Sequence, residues 1–470
     1  MSRSIESVPP FRSSSEIPES TDAIVTGDLP EWLRGELVRT CPAVFEGSQW
    51  RARHWFDGLC LLYAFRIGHA SISFRSRLLE SDAAREIADD GRSRLSAFGT
   101  PTGRHLWERL IQPVQHITDN TNVNIVKLGD DLVALTEGDR QKRIDPVSLH
   151  AIGDVSFERD HLTGAVAGAH PHFDGERVVN IATKFGSSGV VSVYQHRAAE
   201  RRREIVGTWG TTRVPYLHAF GLTPAHAILV AHPFTARSLD MLWSNRGYID
   251  HFEWRPQDGT RLVVMKRSTG AVAEYETDPM FVFHTVNAFE CGTETVLDVL
   301  AYPSARIVSE LRVDRMVEQL PDLRPSLVRL RMQPGRARAD VEKLSDVGFE
   351  FPSTNYRRVN GRDYRYAWGA ADGPRANAEY GSSIVKVDVH TGTAAEFSDG
   401  ENIYGEPVFV ARPGASDEDD GVLLSVGTSM RTTTSTLAII DAKTTTLLAR
   451  ADIDRAIPLG FHGSFVGGLS

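Results

Sequence analysis

Apolar residues along this chain come in short runs, alternating or continuous over a few positions, and the runs are cut by Gly/Asp turns. Residues 61–67 lead into Gly68-His69 and then 71–79, which reads as a hairpin. Residues 122–128 and 132–137 flank Gly129-Asp130-Asp131. That hairpin is clearer, because glycine supplies the positive φ a tight turn requires. The same grammar returns at 172–183 around Asp174-Gly175, at 384–397 around His390-Thr391-Gly392, and at 422–448 around Asp441-Ala442-Lys443. Helical periodicity is scarce; residues 308–320, ending before Pro321, are the best helix candidate.

Strand signals at such regular spacing, with no βαβ alternation and no GxGxxG after a strand, predict an all-β chain. A closed barrel of this length would need many strands. A propeller of six to eight blades at roughly sixty residues each fits better, since its blades are four-stranded sheets around a channel. No linker divides the chain, so residues 21–470 predict one domain. Residues 1–20, rich in Ser, Pro and Glu, predict an extended or mobile arm.

Bulk composition narrows the function classes. The 470 residues are 41% hydrophobic and 24% charged, enough for a sizeable core without disulfides. The formal charge is -9, and the one dense basic run, residues 197–203, is broken by alanines and a glutamate. It reads as a solvated turn, so nucleic acid is not an expected partner, and no protein partner is predicted. Cys41, Cys60 and Cys291 are scattered without CxxC spacing, which fits a reducing compartment. The first residues lack the apolar stretch of a secretory signal, and no run of about eighteen apolar residues occurs. A cytoplasmic protein is expected.

Sixteen histidines are present. Four share a setting of apolar or aromatic neighbours in strand-like sequence: Ala169-His170-Pro171, Tyr216-Leu217-His218-Ala219-Phe220, Phe283-His284-Thr285 and Phe461-His462-Gly463. They stand 48, 66 and 178 residues apart. Spread over the repeats of a propeller, they could meet where the inner strands converge. Taken singly, each reads as a hydrogen-bonded core or turn residue, and there is no HExxH or other i, i+4 pair.

The local sequence around them carries more. His54-Trp55-Phe56-Asp57-Gly58, Ala134-Leu135-Thr136-Glu137, Tyr216-Leu217-His218-Ala219-Phe220-Gly221-Leu222-Thr223, Phe283-His284-Thr285-Val286-Asn287-Ala288-Phe289-Glu290, Gly405-Glu406-Pro407-Val408-Phe409-Val410 and Gly460-Phe461-His462-Gly463-Ser464-Phe465-Val466 resemble, in order and separation, the motifs of the carotenoid cleavage oxygenases. The resemblance implies a single-domain seven-bladed β-propeller, capped on one face by short helices and loops. It also implies one Fe(II) on the axis, held by His170, His218, His284 and His462. The glutamates that accept hydrogen bonds from three of those rings would be Glu137, Glu350 and Glu406. Glu350 lies in Phe349-Glu350-Phe351-Pro352, before Asn355-Tyr356. His172, Glu290, His54, Asp57 and His232 are expected to be structural.

The implied reaction is oxidative cleavage of a conjugated double bond by O2, giving two carbonyl products. It needs an apolar tunnel beside the metal, for which Trp107, Tyr216, Phe281, Phe283 and Phe461 are candidate walls. The partners are then a lipophilic polyene and O2. Ser238-Leu239-Asp240-Met241-Leu242-Trp243 offers either an apolar patch for peripheral membrane contact or a buried short helix. A stilbene-cleaving branch of the family carries a lysine just before the first glutamate and a tyrosine nearby. Here Thr136 and the stretch Phe98-Gly99-Thr100-Pro101 stand instead, which favours a carotenoid or apocarotenoid. The retinoid isomerohydrolase type is disfavoured, because its cysteine-containing membrane segment is missing. A propeller that binds carotenoid without turnover is the remaining alternative, opposed by the complete set of ligands and glutamates.

Overall fold

The computed structural model describes residues 5–111, 116–241, 245–318, 324–372 and 381–467. It is mostly β, and among the described residues it contains seven sheets of four or more strands and one of three. Each predicted hairpin forms. Leu59–Ile67 pairs antiparallel with Ile72–Leu78, and Asn124–Leu128 with Asp131–Leu135 across Gly129 at φ 64°. His172–Asp174 pairs with Arg177–Lys184 across Gly175 at φ 61°. Ser383–Asp388 pairs with Ala394–Phe397, and Gly421–Ser429, Ser435–Asp441 and Leu447–Ile453 form one meander. Antiparallel neighbours need only short turns, so most strands pair with their neighbours in sequence.

The sheets pack through apolar side chains on facing strands. Val179, Val191 and Val193 of one sheet meet Leu229, Val263 and Met265 of the next. Val230 and Leu262 in turn meet Val299 and Leu330, and Leu300 and Leu327 meet Ala367 and Val387. The first and last sheets share such a cluster too, with Leu37, Leu61 and Phe65 against Leu424, Leu437 and Ile439. Each fully buried aliphatic or aromatic side chain contributes about 1.5–3 kcal/mol relative to exposure, so these layers carry much of the stability.

Two long-range pairings tie the chain together. Gly35–Val44 pairs with Gly463–Val466, and Ile24–Gly27 adds to the sheet of Leu447–Ile453. A third tie is polar. Arg329 donates two hydrogen bonds to Asp298, at 2.9 and 2.8 Å, and Tyr364, in the link before the strand Tyr366–Ala371 of the following sheet, donates a third at 2.8 Å.

Two expectations are corrected. The N-terminal segment is packed: Ile5 and Phe11 are buried, and Ile17–Asp22 pairs with Ile72–Leu78. Two apolar anchors and a strand outweigh the polar composition of residues 5–22. The helix expected over 308–320 is two short ones, Arg306–Glu310 and Val313–Met316, interrupted where Arg312 bridges to His54; Leu320 lies outside the described residues. No described helix is long and apolar enough to cross a membrane.

Replacing Asp298 by Ala should lower the unfolding free energy by about 3–5 kcal/mol, because Arg329 would be left buried without its counter-charge. Denaturant titration checks this, and Asp298→Ala combined with Arg329→Met should lose less than Asp298→Ala alone.

Candidate metal centre

His170 lies in the link between Val166–Ala167 and His172–Asp174, and His218 in the link between Arg213–Pro215 and Gly221–Leu222. His284 sits in Phe281–Cys291 where the register with Glu294–Tyr302 shifts, and such bulges re-aim side chains. His462 immediately precedes Gly463–Val466. These four stations bring one nitrogen of each ring within 4.8 Å of all the others. Nε2 of His170 is 2.9 Å from Nε2 of His218, and Nε2 of His284 is 3.2 Å from Nε2 of His462.

Three carboxylates orient the rings from behind. His218 Nδ1 donates to Glu137 at 2.5 Å, His284 Nδ1 to Glu350 at 2.6 Å, and His462 Nδ1 to Glu406 at 2.8 Å. With the Nδ1 protons so engaged, each of those Nε2 atoms presents a lone pair to the centre. Burial, followed by the neighbouring rings, holds His170 far below the usual histidine range. Burial brings His462 down to about 4, against the pull of Glu406. Both are therefore neutral near pH 7.

Converging lone pairs repel unless a cation lies between them. Neighbouring ligands at about 2.1 Å from a metal stand roughly 3.0 Å apart when at right angles, close to the 2.9 and 3.2 Å seen here. The donor set is all imidazole, which suits zinc, copper, iron or nickel, and no thiolate joins it. The residues present fit a divalent transition metal.

Each carboxylate is held differently. Glu137 also accepts the Tyr216 hydroxyl at 2.9 Å. Glu350 accepts the Phe351 amide at 3.2 Å, while its Oε1 is buried without a hydrogen-bond partner among the described residues. Phe351 has φ +54°, rare for an aromatic residue, and its ring packs against His284 and His462. Glu406 accepts the Gly463 amide at 3.0 Å and stands 3.4 Å from the buried guanidinium of Arg39. Burial pushes Glu406 up, but His462, Arg39 and the Gly463 amide outweigh it and hold the carboxyl below its ordinary range.

His218, His284 and His462 line a cavity with about 1140 Å³ of atom-free space, open solvent at its mouth included. Its walls are mainly apolar, among them Trp55, Phe56, Phe98, Tyr248, Phe283 and Phe461. One wall, residues 96–102, is pinned. Gly99 N–H and the Thr100 hydroxyl donate to buried Asp57, and Ile249 N–H donates to the Phe98 carbonyl. Burial pushes Asp57 up to about 6 against those donors.

Of the expected tunnel walls, Tyr216, Phe283 and Phe461 line the cavity, as does Thr136 beside Glu137. Phe281 does not line it. That ring is buried one layer back, stacked on Tyr216 and edge-on to Phe283. Trp107 is not a wall either; it is 60% exposed on the helix Leu106–Ile111. Leu239 is exposed on Ser238–Met241, whereas Leu242 and Trp243 lie outside the described residues.

The side chains expected to be structural, His232 apart, have hydrogen-bond partners. His172 Nε2 donates to the Phe220 carbonyl, and Glu290 accepts from the Thr223 hydroxyl. His54 Nδ1 accepts from the Phe56 amide while Nε2 donates to the Val308 carbonyl. His232 is buried against Phe281. Sequence reasoning missed Arg39, although its signal was present: it interrupts the apolar alternation Leu37, Cys41, Ala43 on one face of a strand.

Residues 11–467 match the family described as retinal pigment epithelial membrane protein (RPE65). A carotenoid-cleaving dioxygenase of Mustela putorius furo, mitochondrial by its name, is 29% identical across 97% of this chain and 96% of its own. The Homo sapiens beta,beta-carotene 15,15'-dioxygenase is 29% identical across 97% and 94%. Among solved structures, a variant of Synechocystis apocarotenoid oxygenase superposes with a TM-score of 0.85 at 25% identity, covering 99% of this chain and all (100%) of the other. A cobalt-substituted form of the Synechocystis enzyme matches with the same TM-score, 0.85, identity, 25%, and coverage, 99% and 100%. With nearly the whole chain matched and a four-histidine cluster at its cavity, the protein belongs to the RPE65/carotenoid oxygenase family, a family of dioxygenase enzymes.

Proposed function

We propose that this chain holds one Fe(II) on His170, His218, His284 and His462, and with O2 cleaves a conjugated carbon–carbon double bond of a carotenoid or apocarotenoid to aldehyde or ketone products. The observation that carries this reading is the convergence of four imidazoles beside a mainly apolar cavity. The names of the relatives, a carotenoid-cleaving dioxygenase and an apocarotenoid oxygenase among them, point to the same substrate class. The seven larger sheets are the blades of a seven-bladed propeller in this reading. The apolar cluster shared by the first and last sheets supports a ring, with the metal on its axis.

When bound, iron(II) supplies positions at which O2 is activated. The protein's own side chains do the rest. Glu137, Glu350 and Glu406 fix the tautomers of three rings and return negative charge to the centre. Tyr216 steadies Glu137 by its hydroxyl bond while its ring faces the cavity. Phe56, Phe98, Phe283 and Phe461 exclude water and lay a planar polyene against the histidines. Thr136 brings no cation next to Glu137, so nothing at that position would stabilise a phenolate, which favours a polyene over a stilbene. Both oxygen atoms of O2 end in the two carbonyls, so no external acid, base or reductant is required.

A lipophilic substrate needs a route from a membrane. Trp107, Leu110 and Ile111 expose 60–77% of their surface on one short helix, and Leu239 is exposed on another. We assign these side chains to peripheral contact with a lipid surface.

Anaerobic Fe(II) reconstitution followed by air should bleach a carotenoid or an apocarotenal and leave a hydroxystilbene intact, read by absorbance and product mass. Iron bound with none of the three consumed would exclude the dioxygenase reading for these substrates. His218→Ala should lose both iron and turnover; full retention of either would remove it from the ligand set. Glu137→Gln should weaken metal affinity or turnover by roughly ten- to a hundredfold. Changing Trp107, Leu110 and Ile111 together to serine should reduce co-sedimentation with phosphatidylcholine vesicles while leaving iron content unchanged.

A further inference from the structure

Arg39 has no role in the reading above, yet it is one of the most buried cations in the chain, at 1% exposure. Its guanidinium donates to the carbonyls of Glu406, at 3.1 Å, and Phe461, at 2.8 Å, and faces the Glu406 carboxylate at 3.4 Å. Those contacts flank His462 and the carboxylate that holds it. The neighbouring backbone makes room for the cation. A Cβ at Gly463 would come within 2.4 Å of Arg39 Cγ, so only glycine lets the arginine stem pass there. Glu137 and Glu350, by contrast, are held by a hydroxyl and by an amide, and no cation pairs with either among the described residues.

Counting only groups that touch the ligand rings or their carboxylates gives a simple balance. Three carboxylates and one guanidinium leave two negative charges, the number that a divalent cation cancels. A trivalent cation would leave the buried cluster with one uncompensated positive charge, which is costly away from water. We propose that Arg39 is a positioning residue that sets the charge balance of the centre, stabilising the divalent over the trivalent state of its iron through Glu406. This rests on the iron reading given above. It adds that the protein is poised to keep its metal ferrous between encounters with substrate, by a charge one layer behind the carboxylates.

The test is the midpoint potential of the iron-loaded protein, by spectroelectrochemical titration with redox mediators, together with the growth of the ferric EPR signal in air. Arg39→Met should lower the potential and accumulate ferric iron faster. Glu406→Gln should raise the potential. The double variant Arg39→Met/Glu406→Gln restores the balance and should return close to the parent value. Arg39→Lys, which keeps the charge but loses the forked hydrogen bonding, should stay near the parent potential while holding iron less tightly.

A purely structural arginine would weaken iron retention in every variant without shifts of opposite sign. Should Arg39→Met fail to fold, the comparison of Glu406→Gln with the double variant still decides, because replacing both members of a buried pair is commonly tolerated. Equal potentials in those two proteins would overturn the inference and leave the iron reading intact. A parent protein that binds no iron at these histidines would overturn both.

Discussion

Four imidazole lone pairs cannot share one small buried space without a cation, and the rest of this structure is arranged around that constraint. The rings arrive from four separate segments, and three have their far nitrogens engaged by carboxylates. None of these groups would be stable alone. A buried carboxylate wants a donor, a buried imidazole wants an acceptor, and a ring of bare nitrogens wants a metal. The sheets supply the rigidity that keeps all three demands satisfied together, because each ligand or its carboxylate lies within two residues of a strand end or in a bulge.

That arrangement also explains why an apolar cavity can sit against a site carrying several charges. The carboxylates and Arg39 are in contact with backbone amides, carbonyls and ring nitrogens, so their charges are spent locally. Phe351, in its strained left-handed conformation, packs its ring against two of the histidines. Asp57 does comparable work on another wall: its carboxylate takes the Gly99 amide and the Thr100 hydroxyl and so holds Phe98 in place among Phe56 and Tyr216. Polar groups hold the walls while apolar ones face the interior.

Much of this was legible in the sequence, for two different reasons. The hairpins around Gly129 and Gly175 were read from local chemistry, since a positive φ is a property of a few residues and needs no tertiary context. The meeting of His170 with His218, His284 and His462 was not local, and only ordered motif resemblance pointed to it. What failed was orientation. Phe281 and Phe283 are two residues apart on one strand, yet only Phe283 lines the cavity, because the bulge between Val282 and Thr285 breaks simple alternation. Hydrophobicity alone makes Trp107 a candidate wall, whereas its helix projects it outward. The packed N-terminal segment was missed because two anchors, Ile5 and Phe11, are diluted by polar neighbours. Arg39 was overlooked because its partners lie hundreds of residues away.

That last distance has a consequence in time. The contact between Arg39 and Phe461 spans 422 residues, and the strand of Arg39 pairs directly with Gly463–Val466, which follows Phe461 closely. As the chain leaves the ribosome, His170, His218 and His284 emerge long before His462 and the strand beside it. Local hairpins can form early, but closure over so long a loop comes late. The full four-nitrogen ligand set therefore exists only once the chain has been made as far as Val466 and its two distant strands have met. Metal acquisition is thereby placed after that pairing, and a chain that stalls or mispairs at that step never presents a complete site.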